Sequence, residues 1–539
     1  MKGLMMDWPL TIRSILTHAE RNHGHREIIS VTADNPRHQY TYADAFARTR
    51  QLANALNELG ASTGDRIATL AWNDYRHFEI YYASSCSGMV CHTINPRLFE
   101  AQLVYIVNHA EDKILFVDPA FIPLLESLAP KLDQVPILVV LSDKANMPGS
   151  QSLELLCYET LLEGESDQID WPDLDENEAC ALCYTSGTTG NPKGVLFSHR
   201  SAVLHACAEA LPDAFNLSSK DSILPVVPMF HVGAWGIPYS APLVGANLVL
   251  PGPKMADGET LHQLMENEQV TLALGVPTVW LALLDYLRDN DLTLTTLNRT
   301  VVGGAACPSS IMDEFREKHG VITHHAWGMT ETSPVGTINS PNAEWPDLNE
   351  EQRAEQRVKQ GRGIYGVDLK IVDEDNNELP WNGVAFGALK ARGPWVCSDY
   401  YRLDGESSAH QQDGWLDTGD VASIDDQGYL KIVDRSKDLI KSGGEWISSV
   451  ELENIAMTYP GVQEAAVIGI ADKKWTERPL LVVVPKNAAT LDTSDLLRHF
   501  VGKLAKWSIP QTVLLVDQLP HTATGKISKL ELRQQIANT

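Results

Sequence analysis

The feature that most constrains this chain is a rhythm. Short apolar runs of strand length alternate with stretches whose apolar residues recur at helical spacing, from Tyr42 through the segment that ends at Pro277. The segment Leu52–Gly60 (LANALNELG) has helical periodicity and closes on a glycine; Asp65–Trp72 (DRIATLAW) then alternates before a second helical stretch reaches Tyr81. The runs LVVLSD, ILPVVPMF, NLVLP and TLALGVP continue the pattern as short strands. Parallel strands need long crossovers, usually helical, so this alternation specifies α/β lobes built on largely parallel sheets. No period of 20 to 50 residues recurs, which argues against a solenoid.

After about Gly361 the texture changes. Residues 366–393 (GVDLKIVDEDNNELPWNGVAFGALKARG) hold two strands joined by an Asp/Asn-rich turn, and DGWLDTGDVASIDDQGYLKIVDR adds further strands and turns. A small β-rich lobe is expected there. Beyond it, a helix (SSVELENIAMTYP), two strands (EAAVIGIAD, RPLLVVVP) and a closing helix (SKLELRQQIAN) suit a separate small α+β domain. The expected division is a large domain, residues 1–433, and a C-terminal domain, residues 434–539, hinged in the charged turn DRSKD at Asp434.

Charge and cysteine content narrow the function. With 70 Asp+Glu against 43 Lys+Arg, the net charge of −27 opposes binding to a nucleic-acid backbone. No apolar run approaches the 18 or so residues needed to span a bilayer, and MKGLMMDWPL lacks the apolar core of a signal peptide. Eight irregularly spaced cysteines are too sparse for a disulfide scaffold, so a soluble, cytoplasmic protein with reduced thiols is expected. Cys180 and Cys183 have CxxC spacing without a second pair and read as strand residues; His324 and His325 are adjacent and would face opposite sides of a strand.

Four local constellations carry chemistry. In Tyr184–Val195 (YTSGTTGNPKGV), seven of twelve residues are Ser, Thr or Gly and Lys193 supplies charge. Tight turns, hydroxyl donors and a cation suit a polyphosphate cradle, although the spacing is not that of a Walker A loop. A flexible surface loop is the plainer alternative. The segment Ala326–Thr332 (AWGMTET) places a carboxylate beside two hydroxyls, which suits Mg²⁺ or merely a helix cap. Asp417-Thr-Gly-Asp420, with Arg435 fifteen residues later, offers a carboxylate for ribose hydroxyls or a simple turn. Lys526 lies in TATGK, thirteen residues before the last position, where a lysine is ordinarily solvated.

Taken in order, TSGTTGNPKGV, WGMTE, DTGD, DRSKDLIKSGGEWIS and TGKI resemble the core motifs of the adenylate-forming enzymes, which include acyl-CoA synthetases, peptide-synthetase adenylation domains and beetle luciferases. The likeness runs from about Tyr42 to Leu532, and HAWGMTETSP with HTATGKISKLELR looks most like bacterial short- and medium-chain acyl-CoA ligases, including those for 3-methylmercaptopropionate. The resemblance implies that ATP and a carboxylic acid give an acyl-adenylate and pyrophosphate, and that coenzyme A then takes the acyl group. It implies that Thr185, Ser186, Gly187, Thr188, Thr189 and Lys193 hold phosphates, with Thr188 and Glu331 at Mg²⁺. Gly303, Gly304, Ala305 and Ala306 would lie along the adenine, near Trp327, Gly328, Met329 and Thr330, while Asp420 and Arg435 bind the ribose. Lys526 would bridge the substrate carboxylate and the α-phosphate in the first half-reaction only. Rotation at Asp434 would then bring Lys441, Ser442, Gly443, Gly444, Glu445 and Trp446 to the coenzyme A side.

His231, in PMFHVGAW, matches a position beside the acyl group and is assigned gating or positioning. His231, Val232, Trp235, Gly236, Gly303 and Trp327 are expected around the acyl chain, and two inward tryptophans would favour a short, mostly apolar acid. The segment 226–235 offers no carboxylate for a substrate ammonium, which disfavours an amino acid. A different acceptor, a luciferase-like oxygenase and a non-catalytic nucleotide sensor are the competing readings; a sensor should have lost charged positions that are all present here. Homodimers are common in the family.

Overall fold

A computed structural model describes residue 1 and residues 3–185, 191–403, 414–442, 445–486, 491–522 and 526–537. Of the expected site residues, Ser186, Gly187, Thr188, Thr189, Gly443 and Gly444 lie outside the described residues, as does the side chain of Glu445.

Among the described residues, two large sheets carry the strands up to Gly363, and the α/β reading holds. The nine-stranded sheet has six consecutive parallel strands, Ile322–Gly328, Arg299–Val302, Leu272–Gly275, Ser222–Pro225, Asn247–Leu250 and Glu27–Ser30, flanked by antiparallel partners. The seven-stranded sheet is parallel except for its last strand, Gly194–Ser198, which runs antiparallel to Ala179–Tyr184. Both sheets bury apolar faces into one continuous core.

The helix Tyr75–Cys86 is buried along its whole length within that core. Its buried charges are paired: the Glu79 carboxylate accepts Arg48 Nε at 2.8 Å and the Tyr158 hydroxyl at 2.6 Å, and the Arg76 guanidinium pairs with Asp34 and Glu159, each at 2.8 Å. The expected helix after Leu52 spans Tyr42–Glu58, opens on a Thr41/Asp44 capping box and is followed by Gly60 at φ +80°.

The β-rich lobe is a four-stranded antiparallel sheet, Asp368–Val372, Phe386–Arg392, Leu416–Ile424 and Leu430–Arg435. The C-terminal unit pairs Val462–Asp472 with Thr476–Pro485 in a five-stranded sheet, with helices Ser449–Met457 and Lys529–Ala537 against it. Asp434 ends the β-rich sheet rather than standing in an open turn. Its buried carboxylate accepts Ser449 N and Ser449 Oγ, both at 2.6 Å, at the start of the first of those helices.

Between the Ser/Thr/Gly loop and the following helix, His199–Glu209, capped by Ser198, stands the strand Gly194–Ser198. The loop therefore joins two antiparallel strands, closed at its base by Thr185 N donating to Lys193 O at 2.9 Å and Lys193 N donating to Thr185 Oγ1 at 3.1 Å. The strand expected at Cys180–Cys183 is found, whereas the three apolar residues Val195–Phe197 are too short a run to mark a strand, and sheet pairing decided them.

Candidate active site

In open α/β sheets ligands bind beyond the carboxyl ends of the strands, and three expected segments leave parallel strands of the nine-stranded sheet at that edge. Pro225 leads to His231, Val302 leads to Gly303–Ala306, and the strand Ile322–Gly328 runs into a short 3₁₀ turn, Thr330–Thr332, that carries Glu331. Sequence positions separated by 100 residues thus meet because consecutive strands share one edge.

Lys526 joins them from the C-terminal unit. Its Cε lies 3.8 Å from where a side chain on Gly304 would begin, so the glycine leaves the lane the lysine occupies. Burial pulls the ammonium pKa down to about 8; Arg435 lowers it further, and Asp420 and Glu331 oppose the shift. The solvated surface lysine that composition favours is not what is found. Lys526 N donates to Thr522 Oγ1 at 3.2 Å, which fixes the base of its turn.

Asp420, 3% exposed, accepts Trp327 Nε1 on Oδ2 and Arg435 Nε on Oδ1, each at 2.8 Å. Trp327 is thereby turned toward Asp420, with its ring against Gly336, where any Cβ would come within 2.5 Å of it. Glu331, also buried, accepts the Tyr400 hydroxyl on Oε1 at 2.7 Å. Lys193 Nζ stands 4.8 Å over the Tyr400 ring, so Tyr400 links the loop to the carboxylate. Tyr400 was missed in the sequence because its segment, SDYYRL, has no motif or periodicity that marks it.

The stretch after His231 is strained. Val232, Ala234 and Trp235 have φ of 45°, 47° and 56°, and Gly233 and Gly236 among them are left-handed too. Non-glycine residues there cost on the order of 1–3 kcal/mol each and persist where surrounding structure holds them. Here the turn presses the Trp235 ring against Gly303, whose Cβ would lie 3.0 Å from Trp235 Cη2. Burial, helped by Lys526 and Arg97, holds the His231 pKa down to about 4, so the imidazole is neutral near pH 7. Behind this turn, a cavity of about 50 Å³ is walled by Tyr81, Cys183, Phe197, Val232 and Gly236 among others.

Cys180 and Cys183 are buried strand residues with free thiols, and His324 and His325 bond different carbonyls, Asn339 O and Val358 O. Lys441 and Ser442 lie in the strand Ile440–Ser442, and Lys441 Nζ sits 4.8 Å over the partly exposed Trp446 ring. No described helix is long and apolar enough to cross a membrane.

A cleft at the strand ends of an α/β core, reached by a lysine from a small second unit, is the architecture of an acid-activating ligase. The chain belongs to the AMP-binding enzyme family: that family's model matches residues 16–401, and the model of the AMP-binding enzyme C-terminal domain matches residues 451–526. It is 49% identical over 535 residues to a medium-chain-fatty-acid–CoA ligase of Ectopseudomonas oleovorans, covering 99% of this chain and 97% of the relative. A 3-methylmercaptopropionyl-CoA ligase of Ruegeria lacuscaerulensis is 50% identical, with 99% of both chains covered. The crystal structure of ATP-bound MatB from Rhodopseudomonas palustris superposes with a TM-score of 0.83 at 27% identity, covering 98% and 99% of the two chains. The protein is an AMP-forming acid–thiol ligase, an acyl-CoA synthetase that uses ATP and coenzyme A.

Proposed function

We propose that this ligase activates a small carboxylic acid, a short- or medium-chain fatty acid or 3-methylmercaptopropionate, with Lys526 as the residue specific to adenylation. The observation that carries this reading is Lys526 itself, drawn in beside Gly304 among Asp420, Glu331 and Arg435. A flexible cation there aligns the acid's carboxylate for attack on the α-phosphorus and offsets charge developing on the α-phosphate as pyrophosphate leaves. The hydroxyls and glycines of 185–189 with Lys193 grip the β- and γ-phosphates. Asp420 and Arg435 hold the ribose, and the backbone of Gly303–Ala306, with Trp327–Thr330, flanks the adenine.

The hard oxygen donors Glu331 and Thr188 fit Mg²⁺, which takes few protein ligands and completes its shell with phosphate and water. When bound it supplies charge neutralisation for the departing pyrophosphate. Tyr400 orients the Glu331 carboxylate by its 2.7 Å bond. Neutral His231 acts as a positioning group beside the acyl carbonyl rather than as a base, since a thiol attacks readily at a low thiolate fraction. After adenylation, rotation at Asp434 removes Lys526 and presents Lys441–Trp446 to coenzyme A. Asp434 and Ser449 would move together, because the carboxylate binds that helix start. A cytoplasmic enzyme is supported by eight free cysteines, and a homodimer is carried from the family likeness; light scattering of the purified chain checks the latter.

The cavity behind Val232–Gly236 and the Trp235 ring against Gly303 support a short acyl chain, and relatives of about 50% identity act on medium-chain fatty acids and 3-methylmercaptopropionate. Replacing Trp235 with Ala opens this wall, and the preferred acid should lengthen by two or more carbons in kcat/KM profiles; an unmoved profile removes Trp235 from the acyl site. The reading as a whole is tested by AMP and pyrophosphate formation with short, branched, sulfur-containing and aromatic acids, each with and without coenzyme A. Turnover that depends on coenzyme A and peaks on one small acid supports it. A best acid of long chain or aromatic type would overturn the substrate class.

A further inference from the structure

Two charged groups of the cleft are joined by one short segment. Residues 397–402 (CSDYYR) touch both the far end of the phosphate loop and the Thr330–Thr332 turn. Cys397 N donates to Glu331 O at 2.8 Å and the Tyr400 hydroxyl to Glu331 Oε1 at 2.7 Å, so the segment holds that residue by its backbone and by its carboxylate. Tyr401 N donates to Gly194 O at 2.8 Å, one position past Lys193, whose Nζ stands over the Tyr400 ring. The separation of Lys193 from Glu331 therefore depends on where this segment is anchored.

Its anchor lies outside the cleft. The Tyr401 ring meets the His109 imidazole edge to face, with centroids 5.7 Å apart and planes at 90°. His109 is in the last turn of the helix Glu100–Ala110, which packs Leu103, Ile106 and Val107 against the seven-stranded sheet. Its Nδ1 is 2.7 Å from the hydroxyl of Tyr184, a buried residue that ends the strand leading into the phosphate loop. Burial lowers the His109 pKa, so the ring is neutral near pH 7 and keeps a lone pair for that hydroxyl. Arg402 closes the circuit: Nη1 donates to His109 O at 3.2 Å and Nη2 pairs with Glu111 at 2.7 Å. A Cβ at Gly194 would come within 3.2 Å of both Tyr184 Cζ and Tyr401 Cβ, so the glycine lets the two tyrosines close on the strand that leaves the loop. One imidazole thus touches the tyrosine at the loop's entry and the tyrosine bonded to its exit.

We infer that His109 is a positioning residue for adenylation: through Tyr184 and Tyr401 it sets the spacing between Lys193, the cation for the departing phosphates, and Glu331, the carboxylate for Mg²⁺. This rests on those two roles as proposed above. Charges that stabilise a leaving group act without reorganising only if they are already in place, and a displacement of about 1 Å caused from far away costs rate steeply. Pyrophosphate leaves after the first half-reaction, so the spacing matters to adenylation and not to thioester formation. Contacts that only stabilised the lobe would instead lower both halves together with the folded fraction.

The test sets His109→Leu and His109→Gln beside the unaltered chain, with Tyr184→Phe, which removes one hydroxyl, carrying the comparison if His109→Leu does not fold. In His109→Leu, single-turnover pyrophosphate release should slow about tenfold, while thioester formation from a synthetic acyl-adenylate stays within about twofold. Calorimetric titration with ATP, with and without Mg²⁺, should show the affinity gained from the metal shrinking several-fold. Tyr184→Phe should give the same split at a smaller size, and His109→Gln, whose amide can still bond Tyr184, should recover part of the loss. An equal loss in both half-reactions, or pyrophosphate release and metal-linked affinity that neither His109→Leu nor Tyr184→Phe moves, overturns the inference. Lys193→Ala is the reference: if it too leaves pyrophosphate release unmoved, the phosphate role of the loop fails instead.

Discussion

Lys526→Ala should lower adenylation by about 10²–10³-fold, the size of effect seen when one preorganised group at developing charge is removed. The same variant should convert a synthetic acyl-adenylate and coenzyme A to thioester at nearly the unaltered rate. The split follows from position: Lys526 reaches the site from the C-terminal unit, so its ammonium is present only when that unit is placed as it stands here, beside Gly304. Arg at 526 should not restore activity, because the planar guanidinium is broader than the lane left by a missing Cβ and cannot act as a compact point charge. Single-turnover measurement of pyrophosphate release and of thioester formation separates the halves. Equal loss in both would mean that Lys526 supports the fold of the cleft or serves both steps, and the adenylation-specific role would be withdrawn.

Asp420→Ala should instead weaken both halves, because the AMP moiety stays bound through each of them. The carboxylate is held by a buried indole N–H and by Arg435, and its bond to a ribose hydroxyl, as one made by a charged group, would be worth about 1.5–3 kcal/mol. The expected result is a rise of roughly 100-fold in the KM for ATP, at 1.4 kcal/mol per tenfold. Global stability should fall by about 1–3 kcal/mol, because the buried Trp327 N–H loses its acceptor, whereas the pair with Arg435, whose side chain is 45% exposed, adds only about 0–1 kcal/mol. Asp420 also favours the charged form of Lys526, so its removal takes away a counter-charge from adenylation in addition. Asp420→Asn keeps an acceptor for Trp327 Nε1 and should lose less. A normal KM for ATP in Asp420→Ala would take the ribose away from this residue.

Much of the fold was legible because short segments are under-determined individually but not as a series. The strands Ile137–Val140, Asn247–Leu250 and Leu272–Gly275, and the helices Tyr42–Glu58 and His199–Glu209, follow from periodicity and from flanking glycines and caps. The strand Gly194–Ser198 was not legible: GVLFS follows a lysine-glycine turn and precedes a helix, and only its pairing with Ala179–Tyr184 makes it a strand. The site divides in the same way. Residues in compositionally odd runs, such as Lys193, Glu331, Asp420 and Lys526, stood out; Tyr400 did not, since a tyrosine in an ordinary loop has no local signature.

The sequence by itself determined the alternation of helix and strand, the acidic surface and the order of the charged and glycine-rich segments, because these depend on neighbours within a few positions. Which side chains share a cleft was decided by the tertiary structure. Parallel strands bring Pro225, Val302 and Gly328 to one edge across 100 residues, and the C-terminal unit then delivers Lys526. Whether Trp327 turns to the acyl chain or to Asp420, and whether Glu209 is exposed or buried, depend on tertiary packing that no local pattern encodes.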